Sequence, residues 1–236
     1  MTQGIRGWCA LVILALATTA HAAERTELQV SYRLWLDADG QVRALAPKHE
    51  LHQALDAALR RSIAGWSFVP GAVNGEPQPT ESWLHLRLRA TQVEAGRLAL
   101  DLVTADVGPG YVKTVPPHYP ASALMQRIEG EVELRVEIDA EGHVLAVQPA
   151  REHPRRLRTL VAAATESMRH WRFEPERVAG HGVATTVTVP ICFRVHVEGS
   201  RPSNPCQHRN DEPPRAERVA AQLRTPVEGV RIEVGG

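Results

Sequence analysis

The chain has 236 residues, of which 43% are hydrophobic and 23% are charged, and this composition is typical of a globular protein with one or two domains. Lysine plus arginine and aspartate plus glutamate are equal at 27 each, so the formal net charge is zero. A balanced chain lacks the basic field that nucleic-acid binding requires, so we expect no nucleic-acid partner.

The N-terminus has the pattern of a secretory signal peptide. Arg6 precedes an apolar run at 8–17, and Ala20-His21-Ala22 provides a small-residue cleavage site. The run is well short of the ~20 apolar residues that a membrane-spanning helix needs. We therefore expect residues 1–22 to be removed as a signal peptide. A retained inner-membrane anchor is the alternative.

The first repeated pattern begins directly after this segment. Apolar residues alternate from Leu28 to Leu36, which is the period of a half-buried strand, and Asp37-Ala38-Asp39-Gly40 follows as a hairpin turn. A short second strand and an amphipathic helix come next, and Pro70 stops the helical stretch two residues after Phe68. The alternation from Leu84 to Leu88 predicts a third strand.

Two weaker features separate this pattern from its second occurrence. Leu98, Leu100 and Leu102 alternate, and we expect them to form an extra hairpin strand that pairs with Leu84–Leu88. The stretch 105–117 contains Gly108-Pro109-Gly110 and Pro116-Pro117, and this composition predicts a linker.

The same order of elements then recurs. Apolar residues alternate from Val132 to Ile138, Asp139-Ala140-Glu141-Gly142 forms the turn, and an apolar helical stripe leads to Trp171-Arg172-Phe173-Glu174-Pro175. This ending matches Trp66-Ser67-Phe68-Val69-Pro70 in the first pattern. We expect both Trp-Phe pairs to be buried against a sheet, with Pro directing the chain into a third strand. The chain is therefore predicted to be α+β, with two tandem β-β-α-β units.

The second unit resembles the C-terminal domain of TonB. The motifs of that family occur here in the family's order: Tyr-Pro before a short helix, Gly before the first strand, Asp-x-x-Gly in the hairpin and Trp-Arg-Phe-x-Pro after the long helix (Tyr119-Pro120, Gly130, Asp139–Gly142 and Trp171–Pro175). The first unit keeps the hairpin, the helix and the Trp-x-Phe-x-Pro ending but lacks the Tyr-Pro preface. It resembles a degenerate copy of the same domain.

This resemblance implies a fold and a role. Each unit is expected to be a three-stranded antiparallel sheet with a helix packed on one face. The family's role is to reach across the periplasm, bind an extended segment of an outer-membrane receptor, and transmit energy from an inner-membrane motor. The short apolar run differs from the family's uncleaved membrane helix, and the stretch 105–117 is too short to span a periplasm.

The expected domain boundaries follow from these elements. They are a signal peptide at 1–22, a degenerate TonB-like domain at 24–104, a linker at 105–117, a TonB C-terminal-like domain at 118–198, and a flexible tail at 199–236. The tail is rich in Pro, Arg and Glu, so we expect no fixed fold there apart from a short helix near 216–223.

The resemblance also implies where a partner binds. The closing strand from Thr185 lies at a sheet edge in the family, where backbone N–H and C=O groups can pair with an added strand. Pro190 interrupts the donors of this strand. The alternative is that the tail or a second chain already covers the edge. The expected partner-binding residues are Tyr119, Pro120 and Arg127 near the short helix, and Thr185, Val187, Val189, Ile191, Phe193 and Val195 on the closing strand.

Cleavage of the signal peptide would leave two cysteines, Cys192 and Cys206, in a compartment where disulfides persist. Strand alternation points Cys192 away from the face shared by Val189 and Ile191. Cys206 follows a Pro-containing segment that can fold back toward it. We predict a Cys192–Cys206 disulfide, and two unpaired thiols are the alternative.

Candidate catalytic and metal-binding patterns do not satisfy the spacing or the environment that their chemistry needs. His49-Glu50-Leu51-His52 resembles a zinc-protease motif, but the motif places its two histidines one helical turn apart at i and i+4. Asp139 and Glu141 belong to a water-exposed turn, where nothing would raise a carboxyl pKa for acid–base catalysis. We expect no enzyme activity, no cofactor and no metal.

Three functions fit the sequence. The first is a periplasmic TonB-family protein that binds an extended peptide of an outer-membrane receptor or another envelope protein. The second is a membrane-anchored energy transducer for outer-membrane uptake, which needs the N-terminus to be retained so that an inner-membrane motor can bind it. The third is an envelope-assembly module in which the units pack on each other or form a homodimer.

Overall fold

The computed structural model of the protein describes residues 25–94, 97–195, 206, 215–226 and 229–235. The predicted signal peptide at 1–22 lies outside the described residues. Within these ranges the chain is mixed α and β, with many strands and few helices. No helix in the same ranges is long and apolar enough to cross a membrane.

The elements are numbered in chain order. Residues 25–113 form β1 (Arg25–Leu36), β2 (Val42–Pro47), α1 (Gln53–Ile63), β3 (Phe68–Val69), β4 (Ala72–Val73), β5 (Glu76–Pro77), β6 (Thr80–Glu94), β7 (Arg97–Gly108) and β8 (Gly110–Lys113). Residues 121–193 form α2 (Ala121–Met125), β9 (Gly130–Ile138), β10 (Val144–Pro149), a 3₁₀ turn (Arg155–Leu157), α3 (Arg158–Met168), β11 (Arg172–Glu174), β12 (Arg177–Val178), β13 (His181–Gly182) and β14 (Thr185–Phe193). The C-terminal part forms β15 (Arg215–Arg218), β16 (Gln222–Leu223) and β17 (Arg231–Gly235).

The first sheet has seven strands and is built around β6. β6 pairs with β1 along one side and with β7 along the other, β2 pairs with β1, and β17 pairs with β7. The β6–β7 pair places Leu88 opposite Leu102, which confirms the predicted extra hairpin strand. The short hairpin β12–β13 also joins this sheet, because β12 pairs with Thr80 and Glu81. The second half of the chain thereby contributes to the sheet of the first half.

The second sheet has four strands in the order β10-β9-β14-β15. β9 and β14 pair antiparallel without interruption, from Thr185 opposite Ile138 to Phe193 opposite Gly130. α3 lies against β9 and β10 and buries an apolar stripe in their core: Leu160, Ala164 and Met168.

Both sheets have strands at the three predicted positions, but neither sheet stops at three strands. β7, β17 and β12–β13 widen the first sheet, and β15 widens the second. Apart from β7, which its alternating leucines predict, the added strands have five residues or fewer, and this explains why the sequence pattern does not predict them. The predicted burial of the two Trp-Phe pairs is confirmed: Trp66, Phe68, Trp171 and Phe173 lie in the two cores.

The predicted linker at 105–117 is wrong for most of its length. Residues 105–108 complete β7, and β8 pairs with β11 of the second half. Gly110 packs flat on Trp83, since a β-carbon on Gly110 would lie 2.5 Å from the indole Nε1. Lys48 adds a second contact here, donating to the Tyr111 carbonyl at 3.1 Å. The glycines that resemble a flexible linker in the sequence instead permit close packing.

The predicted flexible tail is also wrong for its described parts. β15 pairs with β14, β16 pairs with β3, and β17 pairs with β7. Ala221 and Ile232 are buried in the core of the first sheet. The helix expected near 216–223 is replaced by strands at 215–218 and 222–223. Unpaired sheet edges decide this outcome, because they offer hydrogen bonds that override a weak local preference.

Candidate peptide-binding edge

The closing strand β14 turns its predicted partner-binding side chains into the protein. Val187, Val189, Ile191 and Phe193 alternate along the strand and lie in the core of the second sheet, and Thr185 is buried as well. A guest strand at this edge would therefore meet the backbone of β14 and not these side chains. The edge therefore offers a guest strand the backbone N–H and C=O groups of β14, and not side-chain pockets.

The outer edge of β14 already carries an added strand. β15 pairs antiparallel with Thr186, Val187 and Thr188, with an irregularity between the first two. Of the alternatives above, coverage of the edge by the tail therefore applies to this stretch.

Pro190 divides the edge into two stretches. Proline has no backbone N–H and is tolerated in sheets mainly at edges, so it removes one donor from the middle of β14. Toward the C-terminal end, the N–H of Val195 donates to Glu129 Oε1 at 2.6 Å. The Glu129 carboxylate, directly before β9, therefore fixes the chain just beyond the end of β14.

The predicted disulfide between Cys192 and Cys206 is confirmed, with a Cα–Cα distance of 5.8 Å. Both cysteines are buried, and Arg194 Nε lies 3.2 Å from Cys192 Sγ. The bond joins Cys206, in the tail, to the C-terminal half of β14. It therefore holds the chain close to the edge on which β15 adds.

Of the three residues predicted to contact a partner near the short helix, Tyr119 lies against β14. The Tyr119 hydroxyl donates to the Ile128 carbonyl at 2.7 Å, and its ring meets Phe193 edge-on with centroids 5.4 Å apart. Burial, together with the nearby Glu129 carboxylate, raises the pKa of Tyr119. The structure thus brings Tyr119 to the end of β14.

Pro120 and Arg127 flank α2. Pro120 occupies the position before the first helical residue, where its missing N–H costs no hydrogen bond. Arg127 is exposed in the left-handed conformation at φ +51°, and its N–H donates to the Leu124 carbonyl at 3.1 Å. Neither residue lies on the strand itself.

Sequence reasoning missed an apolar surface on α2. Leu124 is 47% exposed and Met125 is 81% exposed, while Ala123 is the buried residue of this helix. The signal was present as an Ala-Leu-Met sequence on a helix too short to bury more than one side. Exposed large apolar side chains that form a contiguous patch mark interaction surfaces.

Sequence reasoning also missed Glu176, which is fully buried where the two sheets meet the tail. Its carboxylate accepts a hydrogen bond from the Ser82 hydroxyl at 2.7 Å and from the N–H groups of Ala220 and Ala221 at 2.8 and 3.2 Å. Burial raises the pKa of Glu176, and the three donors oppose that shift. The acceptor role could not be read from the sequence, because its donors lie far away along the chain.

The two segments that resemble metal or acid–base sites in the sequence lie in a hairpin turn and before a helix. The Asp139 carboxylate accepts the backbone N–H groups of Glu141 and His143 through one oxygen and contacts the His143 ring through the other. These three side chains have possible ligand atoms within 4.8 Å of one another, but Glu141 and His143 are exposed and the carboxylate is engaged by the turn. His49, Glu50 and His52 are exposed before α1.

Comparison with known proteins identifies the second half of the chain. The family described as "Gram-negative bacterial TonB protein C-terminal" matches residues 115–195, which include α2, β9, β10, α3 and β14. Residues 115–195 belong to the TonB C-terminal domain family. The match begins near the start of the Tyr119-Pro120 preface and ends just beyond the closing strand.

Several TonB proteins share this segment. The chain is 38% identical over 81 residues to Protein TonB of Xanthomonas campestris pv. campestris strain B100, covering 34% of this chain and 35% of that protein. It is 34% identical over 99 residues to Protein TonB of Klebsiella pneumoniae, covering 40% and 36%. The chain spans about a third of the length of these curated relatives.

A solved structure also matches part of this chain. The solution NMR structure of the Pseudomonas aeruginosa TonB CTD is 30% identical, with a TM-score of 0.32. The match covers 40% of this chain and 91% of that one.

Proposed function

We propose that this chain is a periplasmic TonB-family protein that binds an extended peptide by strand addition at the outer edge of β14. The partner is a segment of an outer-membrane receptor or of another envelope protein. The observation that supports this proposal is the pairing of β15 with Thr186, Val187 and Thr188, since this edge accepts an antiparallel strand within the molecule itself. Backbone groups supply the recognition because the alternating side chains are buried.

This geometry has consequences for affinity and selectivity. Backbone hydrogen bonds are common to all sequences, so selectivity must come from side chains beside the edge. Tyr119, Pro120 and Arg127, with exposed Leu124 and Met125 on α2, are the proposed sources of those contacts. We expect modest affinity and a preference for peptides that place an apolar residue over α2.

We also infer that the two sheets are tandem copies of one β-β-α-β unit. Asp37 accepts from the N–H groups of Asp39 and Gln41 in the first turn, just as Asp139 does in the second. Under this proposal the first copy serves as a platform. It holds β17 and β12, and thereby fixes the second copy and the tail around a shared centre.

The test is a binding measurement with the full mature chain. A fluorescent peptide copied from the N-terminal plug segment of an outer-membrane receptor should bind, and a scrambled peptide of the same composition should bind more weakly. Met125→Gln, an exposed change on α2, should weaken binding while leaving the melting temperature unchanged. If the receptor peptide and its scrambled control bind equally or not at all, the proposal fails.

The second candidate function is membrane-anchored energy transduction, and the observation that favours it is the match to proteins named TonB. It requires the N-terminal segment to remain as an inner-membrane anchor that an energising motor can engage. Mass spectrometry of protein from the native envelope separates the two functions. A chain beginning at Ala23 or Glu24 supports the periplasmic protein, and an intact N-terminus in the inner membrane supports the transducer.

Homodimerisation is the remaining proposal, because sheet edges also pair between copies of one chain. Analytical ultracentrifugation over a range of concentrations tests it. A single monomeric species would exclude a role for the homodimer at those concentrations.

A further inference from the structure

An open groove of about 610 Å³ lies between the end of β10 and the start of α3. Gln148 and Pro149 of β10 line one side of it, and Arg155, Arg158 and Val161 line the other. In the strand order of the second sheet, β10 stands at the opposite end from β15. The groove is therefore a separate surface from the edge at β14.

The loop between β10 and α3 forms one wall of the groove, and Glu133 of β9 holds it in place. The Ala150 N–H donates to the Glu133 carbonyl at 2.9 Å, and the Glu133 N–H donates to His153 Nε2 at 3.2 Å. The Glu133 carboxylate also pairs with Arg151, with 3.1 Å between Oε2 and Nε. Because these contacts are all within the protein, the shape of the groove does not depend on a ligand.

The segment around this groove is strongly basic. In a chain whose charges balance overall, eight consecutive residues contain four arginines and a single acidic residue: Arg151, Arg155, Arg156, Arg158 and Glu152. The last three of these arginines are exposed, and none of them makes an ion pair within the part of the chain that the structure describes. The groove therefore favours an anion, and the planar guanidinium group suits the two oxygens of a carboxylate.

The groove also has an apolar floor and a strand edge beside it. Val161 packs against the core from the α3 side, and Pro149 adds apolar surface on the β10 side. β9 pairs with one side of β10; among the described strands, β11 approaches the other side only at the bridge between His143 and Arg172. An extended peptide can therefore pair with the open side of β10 while its side chains reach the groove.

We propose that the groove and the open side of β10, together called the β10 site, bind an extended acidic segment of a partner protein. The segment adds to β10 as a strand and places carboxylates against Arg155 and Arg158. Exposed ion pairs contribute little individually, so strand pairing and charge act together. This site goes beyond the proposed function, because it shares no residue with the edge of β14.

The test uses the full mature chain and a synthetic peptide that matches the six residues of β10 in length and alternates glutamate with threonine or valine. The control peptide has glutamine in place of each glutamate. The acidic peptide should bind on the order of tenfold more tightly than the control at low salt, and added salt should reduce the difference.

Matched arginine variants test the site itself. Arg158→Gln should weaken binding of the acidic peptide about two- to fivefold without changing the melting temperature, since the side chain is exposed. Arg61→Gln on α1 is the control, because Arg61 is also exposed and has no ion pair among the described residues. It should leave the affinity unchanged. Equal affinity of the Arg158→Gln and wild-type chains overturns the proposal.

Amide NMR of the labelled chain locates the bound peptide. Chemical-shift changes should concentrate in β10 and in residues 151–161, and changes confined to Thr185–Phe193 would assign the peptide to β14 and overturn the proposal. Equal binding of the acidic and glutamine peptides also overturns it. Sedimentation with phosphatidylglycerol vesicles tests the competing ligand: if the chain binds the vesicles but not the acidic peptide, the arginines contact a membrane surface and the proposal is wrong.

Discussion

The N–H of Phe173 donates to the Gly142 carbonyl at 2.9 Å, and the Phe173 carbonyl oxygen lies only 2.0 Å from where a β-carbon of Gly142 would stand. Gly142 has φ +86°. Gly40, at φ +77°, makes the same close approach to Phe68, whose carbonyl oxygen lies 2.1 Å from the corresponding position. In both sheets, therefore, the glycine of the hairpin turn packs directly on the phenylalanine of the Trp-x-Phe-x-Pro ending.

Substitution of either glycine by alanine should therefore be costly. Gly142→Ala and Gly40→Ala each combine a left-handed backbone with a steric clash, and we expect a loss of about 3 kcal/mol or more in the free energy of unfolding. Gly180→Ala is the matched control, since Gly180 has φ +81° and open space around it, so it should lose only about 1–2 kcal/mol. Urea unfolding measures all three, and equal losses would contradict the packing argument.

Truncation of Trp171 should destabilise the second sheet. The indole is buried between Tyr111 and the core, and its Nε1 donates to the Val115 carbonyl at 2.8 Å. Trp171→Ala should cost about 3–5 kcal/mol and unfold this half near room temperature. Trp35→Ala, which removes a half-buried ring stacked under Arg33, should cost about 1 kcal/mol. Similar melting curves for both variants would contradict the assignment of Trp171 to the core.

His85 should make the protein less stable in mild acid. Its ring is buried, with Nδ1 2.9 Å from Ser31 Oγ and Nε2 3.2 Å from the Pro109 carbonyl, and burial lowers its pKa to about 4. The unfolded chain takes up this proton near its ordinary pKa of about 6.5, so the stabilising effect is complete above that pH and is lost as the pH falls toward 4. We expect a loss on the order of 3 kcal/mol across this window.

Urea unfolding as a function of pH checks this prediction. His153, whose pKa burial also lowers, adds a change of the same sign, so a variant is needed to isolate His85. His85→Gln should flatten the acid side of the stability profile, whereas His49→Gln at an exposed position should leave it unchanged. An unaltered profile in His85→Gln would rule out this source of acid sensitivity.

Glu176 should contribute pH dependence of the opposite sign. Because burial raises its pKa, the native state holds the proton more tightly than the unfolded state, and stability falls as the pH rises through the native pKa. The stability of Glu176→Gln relative to the wild type should therefore improve as the pH rises from about 4, the ordinary pKa of a glutamate. A constant difference across that range would contradict the shift.

Glu176→Ala tests the bridging role of the same side chain. Removing the carboxylate leaves the N–H groups of Ala220 and Ala221 without their acceptor, at a cost of about 1–3 kcal/mol, whereas the Ser82 hydroxyl keeps the Gly108 carbonyl at 3.2 Å. The amides of Ala220 and Ala221 should also exchange faster with solvent. Unchanged exchange would show that Glu176 does not hold the tail.

The elements that could be predicted from the sequence are those with strong local patterns. Alternation located the central strands, Asp-x-x-Gly located the two turns, and the Trp-x-Phe-x-Pro endings located the buried aromatic pairs. The Cys192–Cys206 disulfide could be predicted because cleavage of the signal peptide would leave only these two cysteines, and because strand alternation points Cys192 away from the core face.

The remaining features depend on partners that are distant along the chain. β15 and β16 have sequences with no strand signal, and they form strands only because β14 and β3 present open edges. Glu176 is an ordinary charged residue in the sequence, and its burial depends on donors from β6 and the tail. Local periodicity contains no information about either relationship.

Amide NMR of the isotopically labelled full chain, titrated with a receptor plug peptide, tests the strand-addition site most directly. Chemical-shift changes should concentrate in Thr185–Phe193, with smaller changes around Tyr119 and α2. Shifts confined to other surfaces, or none at millimolar peptide, would contradict the assignment of the β14 edge as the binding site.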